Sequence, residues 1–217
     1  MEKEIIQIKV GDENYPTNCY IIKDKNNEGV LIDPGLDAKK IINIIKGKNV
    51  TIKKIILTHC HADHIGALDE VKDFTKAEVL IHENDIDGIE DNEKNYCEYL
   101  NIPMQKISKN QMIALKENDV VKVGELSLEV YHTPGHTNGC ICLYEKELNA
   151  LFTGDTLFYN CYGRCDLKSG STEDMKKSLD TLFDKFNDVT IYPGHEDIVN
   201  IDTVKRRVRL LFKIKNG

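Results

Sequence analysis

At 217 residues, with 41% hydrophobic and 30% charged residues, the chain has the balance of an ordinary globular protein with a sizeable core, and disorder is excluded. Its net charge of -7 argues against a general nucleic-acid binder, because neutralising phosphates requires a basic surface. No stretch approaches the roughly 20 apolar residues that span a bilayer, and Met1-Glu2-Lys3-Glu4 carries acids where a secretory leader carries bases, so a cytoplasmic protein without membrane contact is expected.

Short apolar runs rich in Ile and Val predict strands at Ile5–Val10, Cys19–Ile22, Val30–Ile32 and Ile52–Leu57. Turn material at Gly11-Asp12-Glu13-Asn14 and Asp24–Gly29 makes the first three an antiparallel meander. Short helices are expected at Ala38–Lys46 and Ile65–Asp73, then a strand at Val79–Ile81. Residues 83–112 hold Asn, Asp and Glu clusters with Pro103 and read as a short helix and long loops. Further strands follow at Val120–Val123, Leu126–Tyr131, Cys140–Tyr144, Ala150–Phe152 and Val189–Tyr192.

Met175, Leu179, Leu182, Phe183 and Phe186 keep the 3.6-residue period of a helix, with Ser171 or Thr172 placed to cap it; Ile201, Val204, Val208, Leu211 and Phe212 repeat the pattern. Nothing marks a domain boundary, so residues 1–217 read as one domain. Its order of elements suggests two sheets with helices packed outside.

The chemistry concentrates in Thr58-His59-Cys60-His61-Ala62-Asp63-His64, directly after a buried strand. In extended backbone, residues two apart face the same way, so His59 and His61 can converge on one metal ion. Asp63 and His64, at the turn into the next helix, can swing toward a second. Cys60 points to the opposite face and reads as a packed thiol. Three more ligand-type residues each follow a strand and a glycine: His136 in Thr133-Pro134-Gly135-His136, Asp155 in Thr153-Gly154-Asp155, and His195 in Tyr192-Pro193-Gly194-His195. A glycine lets the chain turn sharply at a strand end, and the sheet then fixes where the ligand points.

These elements, in this order, resemble the metallo-β-lactamase superfamily, whose core motif is Thr-His-x-His-x-Asp-His. The resemblance runs from Asn18-Cys19-Tyr20 and Asp33-Pro34-Gly35 through His195. It implies an α/β fold, a four-layer αβ/βα sandwich of two mixed sheets flanked by helices. It also implies a ligand division: His59, His61 and His136 on a first metal, Asp63, His64 and His195 on a second, and Asp155 bridging both. The expected cofactors are two divalent ions, zinc first, with iron or manganese as alternatives. His61 stands where the oxygen-reducing diiron branch has glutamate, which disfavours that branch.

Gly154-Asp155-Thr156-Leu157-Phe158 and Gly163-Arg164-Cys165-Asp166-Leu167 are similar to the glyoxalase II group and its short relatives, which hydrolyse hydroxyacyl thioesters. That group carries an extra helical domain where this sequence runs about one helix beyond His195, and its Lys-x-Tyr glutathione grip stands here as Arg164-Cys165-Asp166, so the expected thiol is not necessarily glutathione. The expected activity is a dinuclear-metal hydrolase acting on a small acyl-thiol through a metal-activated hydroxide, since two close ions bring the pKa of a shared water from 15.7 toward about 7. Asp63 would orient that nucleophile, and Arg164 would grip a substrate carboxylate or else pair with Asp166 to shape its loop. The alternatives are a persulfide dioxygenase with one iron, or a same-fold hydrolase of lactones, phosphodiesters or β-lactams.

Weaker signals have plain readings. The seven cysteines, odd in number and without a Cys-x-x-Cys pair, fit reduced thiols. His82 and His132 lack a partner motif and stay outside the site. The basic positions Lys205, Arg206, Arg207, Arg209, Lys213 and Lys215 read as the solvated face of the last helix.

Overall fold

Alternation along the strands sorts apolar side chains onto two faces, and that sorting builds the fold. The computed structural model describes residues 3–215; Met1 and Glu2, and the side chains of Lys213 and Lys215, lie outside the described residues. One six-stranded sheet runs β1 (Glu4–Val10), β2 (Thr17–Lys23), β3 (Glu28–Ile32), β4 (Thr51–Ile56), β5 (Glu78–His82) and β6 (Met112–Leu115), neighbours in chain order. The other runs β7 (Val120–Val123), β8 (Leu126–His132), β9 (Ile141–Glu145), β10 (Ala150–Gly154), β11 (Thr190–Pro193) and β12 (Val199–Asn200). The helices are α1 (Ala38–Gly47), α2 (Ala62–Ile65), α3 (Leu68–Thr75), α4 (Asn92–Asn95), α5 (Thr172–Lys185) and α6 (Ile201–Lys215).

In β2, Tyr20 and Ile22 face the second sheet, whereas Cys19 and Ile21 face the layer holding Ile41 and Ile45 of α1 and Leu68 and Val71 of α3. The second sheet mirrors this. Leu143 and Phe152 point inward, while Cys142 and Leu151 meet Met175, Leu179 and Leu182 of α5 and Val204 and Val208 of α6. Three apolar layers therefore separate four layers of structure, the expected αβ/βα sandwich. β1, β2 and β3 pair antiparallel, as the meander requires. From β3 to β6 the pairing is parallel, since helical crossovers return the chain between strands. Ser171 caps α5 by accepting from the Asp174 amide at 3.2 Å.

Three details depart from the sequence reading. The helix expected at Ile65–Asp73 is broken into α2 and α3. The Asp33–Gly35 loop wedges in at the break: the Gly35 amide donates to the His64 carbonyl at 2.8 Å, and the Ala67 amide donates to the Gly35 carbonyl at 2.6 Å. A Cβ at Gly66 would stand 2.5 Å from Leu36 Cδ2, so any larger residue there would have to push the Leu36 side chain aside. Periodicity does not register a backbone that arrives from elsewhere. Met112 opens β6 rather than ending a loop, and β12 is an added two-residue strand. β6 has its end residues buried and its middle two exposed, so it carries no period of two, and β12 has only two residues. Between β5 and β6 lie α4 and 3-10 turns at Ile86–Glu90 and Lys109–Gln111. No helix among the described residues is long and apolar enough to cross a membrane, and no disulfide joins the cysteines.

The two sheets also meet through a pair of rings. His82 ends β5, His132 ends β8, and their imidazoles stack with centroids 4.0 Å apart and planes at 10°. Burial, and then the neighbouring His132, push His82 down from its ordinary 6.5 to about 4. A histidine that refuses a proton when folded but accepts one when unfolded adds stability at pH values above about 6.5, and that stability is lost as pH falls toward 4. His82→Asn is therefore expected to flatten the fall in urea midpoint of the chelator-treated protein between about pH 7 and pH 4.5. Equal slopes for the variant and the parent would contradict this reading of the stack.

Candidate metal centre

β10 and β11 are parallel neighbours, paired from Ala150↔Thr190 to Gly154↔Pro193 with a one-residue register shift between Phe152 and Gly154, so their C-terminal ends leave the sheet at one edge. Asp155 directly follows β10, and His195 follows β11 after Gly194. The Gly194 amide donates to the Gly154 carbonyl at 2.8 Å and holds the two turns together. The end of β4 is stitched to the same edge, because the Ile141 amide at the start of β9 donates to the Thr58 carbonyl at 3.0 Å. His59 and His61 follow in bent and extended backbone, and Asp63 and His64 lie within α2. His136 follows β8 by four residues.

All seven expected ligands reach one place. His59, His61 and His136 offer donor atoms within 4.8 Å of one another, as do His59, His64 and Asp155, and Asp63, His64 and His195. His136 Nε2 stands 2.8 Å from His61 Nδ1. Asp155 sits among them, with Oδ1 3.2 Å from His64 Nε2 and Oδ2 3.5 Å from His136 Nε2 and 3.6 Å from His195 Nε2. His195 Nε2 is 3.2 Å from Asp63 Oδ2. His59 Nε2, His61 Nε2, His64 Nε2 and Asp155 Oδ1 are buried without a hydrogen-bond partner. Orphaned polar atoms are costly, and a cluster of imidazole nitrogens with carboxylate oxygens is a donor set that divalent cations fit.

Outer partners fix which nitrogen faces the centre. His136 Nδ1 donates to the Arg164 carbonyl at 2.8 Å and His195 Nδ1 to the Pro16 carbonyl at 3.0 Å. His64 Nδ1 lies 2.9 Å from Asp33 Oδ2. In each ring the proton belongs on Nδ1, which leaves Nε2 to the centre. Asp33 also accepts from the Thr58 amide at 2.8 Å and from the Thr58 hydroxyl at 2.7 Å, and that hydroxyl is 3.1 Å from His59 Nδ1. Asp33 holds a φ of 50°, a left-handed conformation tolerated by Asp better than by most residues.

Asp33 and Asp85 are supporting residues that sequence reasoning missed. Asp85 accepts from the Cys60 amide at 3.1 Å, the Thr137 hydroxyl at 2.7 Å and the Gly139 amide at 2.8 Å. It thus ties the His59–His61 segment to the His136 loop. The only sequence signal for Asp33 was its place in Asp33-Pro34-Gly35, and Asp85 left none. Cys60 is buried and turned away from the centre, toward Gly88 and Lys94.

Charge within the cluster is mutually arranged. Burial, with His64 and His61 adding to it, drives His59 well below the usual imidazole range, and burial beside His136 brings His61 to about 3. Burial alone would raise Asp63, but His64 and His195 outweigh it and bring the carboxyl to about 2. Asp155 is likewise held well below the carboxylate range by His195 and His64 against its burial. Both acids are thus kept ionised, the form in which a carboxylate ligates a cation.

The cluster opens on a cleft of about 870 Å³. Arg164 lines it, but its guanidinium is held two-pronged by Asp166, with Nε and Nη2 each 2.8 Å from a carboxylate oxygen. The pairing that shapes the loop is therefore present.

Two packed sheets that gather imidazoles and carboxylates at a shared edge form the architecture of metal-dependent hydrolases. The chain belongs to the metallo-beta-lactamase superfamily, whose profile matches residues 13–195. It is 30% identical over 214 residues to hydroxyacylglutathione hydrolase GloC of Haemophilus influenzae, covering 95% of this chain and 96% of that protein. Among solved structures it resembles the B3 metallo-beta-lactamase BLEG-1, at 29% identity and a TM-score of 0.82 over 92% of this chain and 95% of the other. It also resembles TTHA1623 in a di-iron-bound form, at 25% identity and a TM-score of 0.83 over 94% and 99% of the two chains.

A Cβ on Gly194 would stand 2.3 Å from Asp155 Oδ1 and 2.7 Å from His64 Cε1. Gly194→Ala is expected to reduce bound metal, measured by plasma mass spectrometry, at least about tenfold at sub-saturating metal, by displacing both side chains. Its circular dichroism should match the parent. Full metal content in the variant would refute the crowding.

Proposed function

We propose that the chain is a dinuclear-metal hydrolase of small acyl-thiols, with hydroxyacyl thioesters as the substrate class. The observation that carries this reading is the convergence of three donor groups on one centre with Asp155 between them. The likeness to GloC supports the choice of thioester. In this proposal His59, His61 and His136 hold one ion, Asp63, His64 and His195 the other, and Asp155 joins them. Zinc is the first choice of metal, and the di-iron form of TTHA1623 makes iron the second.

Bound there, two divalent cations would supply an acidified water and a positive charge for the carbonyl oxygen. The remaining work falls to the chain. The Asp63 side chain is 27% exposed, and it alone among the seven is not fully buried. Its Oδ2 accepts from the Thr17 hydroxyl at 3.4 Å and lies beside His195. An ionised carboxylate so placed can take a hydrogen bond from the attacking water and aim it at the carbonyl carbon. The thiolate leaves without needing a protonated side chain. Asp166 already takes the Nε–Nη2 edge of Arg164, which leaves the Nη1 side of the guanidinium for a substrate carboxylate.

Asp155→Ala is expected to lower kcat/KM on the lactoyl thioester of N-acetylcysteamine by more than about 100-fold and to reduce bound metal, with an unchanged fold by circular dichroism. Undiminished turnover would remove Asp155 from the centre. One bound iron with oxygen uptake on a persulfide, and no thioester turnover, would replace the hydrolase by a dioxygenase.

A further inference from the structure

The cleft above the cluster has its imidazoles at the floor with Asp63 and Asp155, and Asp12 is the one further acid among the described lining residues. Four loops build its walls: Tyr15 from the β1–β2 connection, Leu36 from the segment before α1, Tyr99, Leu100 and Ile102 from the stretch after α4, and Phe158, Tyr162 and Arg164 from the β10–α5 connection. Tyr15 is 57% exposed, Leu36 37%, Tyr99 82% and Leu100 45%. Large apolar side chains left in water at one rim are unfavourable unless something covers them, and a ring of them over a reactive centre marks a ligand contact. The Tyr15 ring is held flat on His195, with centroids 4.4 Å apart and planes at 16°, so this wall is fixed directly to the floor.

The charges point the same way. Asp12, Asp63 and Asp155 line the cleft with Arg164, the one lysine or arginine among the described lining residues. Both prongs of Arg164 are already on Asp166. The positive charge of Arg164 is thus already balanced by Asp166, so a thiol bearing carboxylates finds no unneutralised guanidinium or ammonium among the described lining residues.

We propose that this wall is a subsite for an uncharged apolar group, alkyl or aryl, carried by the thioester, and that carboxylate-bearing thiols such as glutathione are disfavoured. The proposal rests on the acyl-thiol reading of the centre and narrows it to apolar thioesters. Tyr99 and Leu100 cover the apolar group, and Tyr15 bridges it to the reacting carbonyl.

Calorimetric binding to the metal-loaded protein tests this with three thioethers that cannot be hydrolysed: S-octyl- and S-methyl-N-acetylcysteamine, and S-octylglutathione. A buried methylene is worth up to about fourfold in affinity, so the octyl compound is expected to bind at least about 30-fold tighter than the methyl one. S-octylglutathione should bind about tenfold more weakly than its uncharged counterpart, and Asp166→Asn, by releasing Arg164, should recover part of that loss. Tyr99→Ser combined with Leu100→Ser should cut the octyl advantage about tenfold, whereas Ile113→Ser, an exposed apolar residue of β6 outside the cleft, should leave it intact. Equal binding of octyl and methyl compounds, or tightest binding of S-octylglutathione, overturns the subsite. The octyl preference without turnover of any thioester would instead remove the acyl-thiol reading and leave the subsite standing.

Discussion

Seven ionisable side chains share one sheet edge, and six of them are buried there. Taking imidazoles and carboxylates out of water is unfavourable unless each finds an opposite charge or a ligand. Asp155 shows how tightly the balance is drawn, with three imidazole nitrogens within 3.6 Å of its two oxygens. Its neighbours keep it ionised although burial opposes that. Four donor atoms remain without hydrogen-bond partners, and a pair of cations would give all of them a role at once. The sandwich, the loops and the outer hydrogen bonds act together to hold this arrangement.

The scaffold meets that demand by making chain ends meet. The parallel pair β10 and β11 places Asp155 beside His195, and the Thr58–Ile141 contact brings the first sheet to the second at the same edge. Around the ligands stands an acceptor framework: Asp33 on Thr58 and His64, Asp85 on Cys60, Thr137 and Gly139, and main-chain carbonyls on His136 and His195. Such partners set the orientation of each ring before any ligand arrives, which is how a site becomes preorganised.

Much of this was legible in the sequence, for physical reasons. Strand alternation and helix periodicity depend on neighbours in the chain, and they located ten of the twelve strands among the described residues and the helices that cover the sheets. The candidate ligands were legible because each sits at a strand end next to a turn, where residue type and position are both informative. What failed was long-range. The wedge of Gly35 between α2 and α3 and the bonds of Asp85 to two distant loops are made by backbone groups that carry no sequence signature. β6 and β12 acquire strand structure from the partners they pair with, since β6 does not alternate and β12 has only two residues. The ion pair of Arg164 with Asp166 was one of two expectations, and it is present in the structure.

The central claim is that one cluster of side chains holds two cations. Anomalous diffraction from crystals of the zinc-loaded protein measures this directly. The account predicts two zinc peaks about 3.5–4 Å apart, one beside His59, His61 and His136, the other beside Asp63, His64 and His195, with Asp155 between them. Zinc located elsewhere, or these side chains turned away from a shared centre at full zinc occupancy, would contradict it.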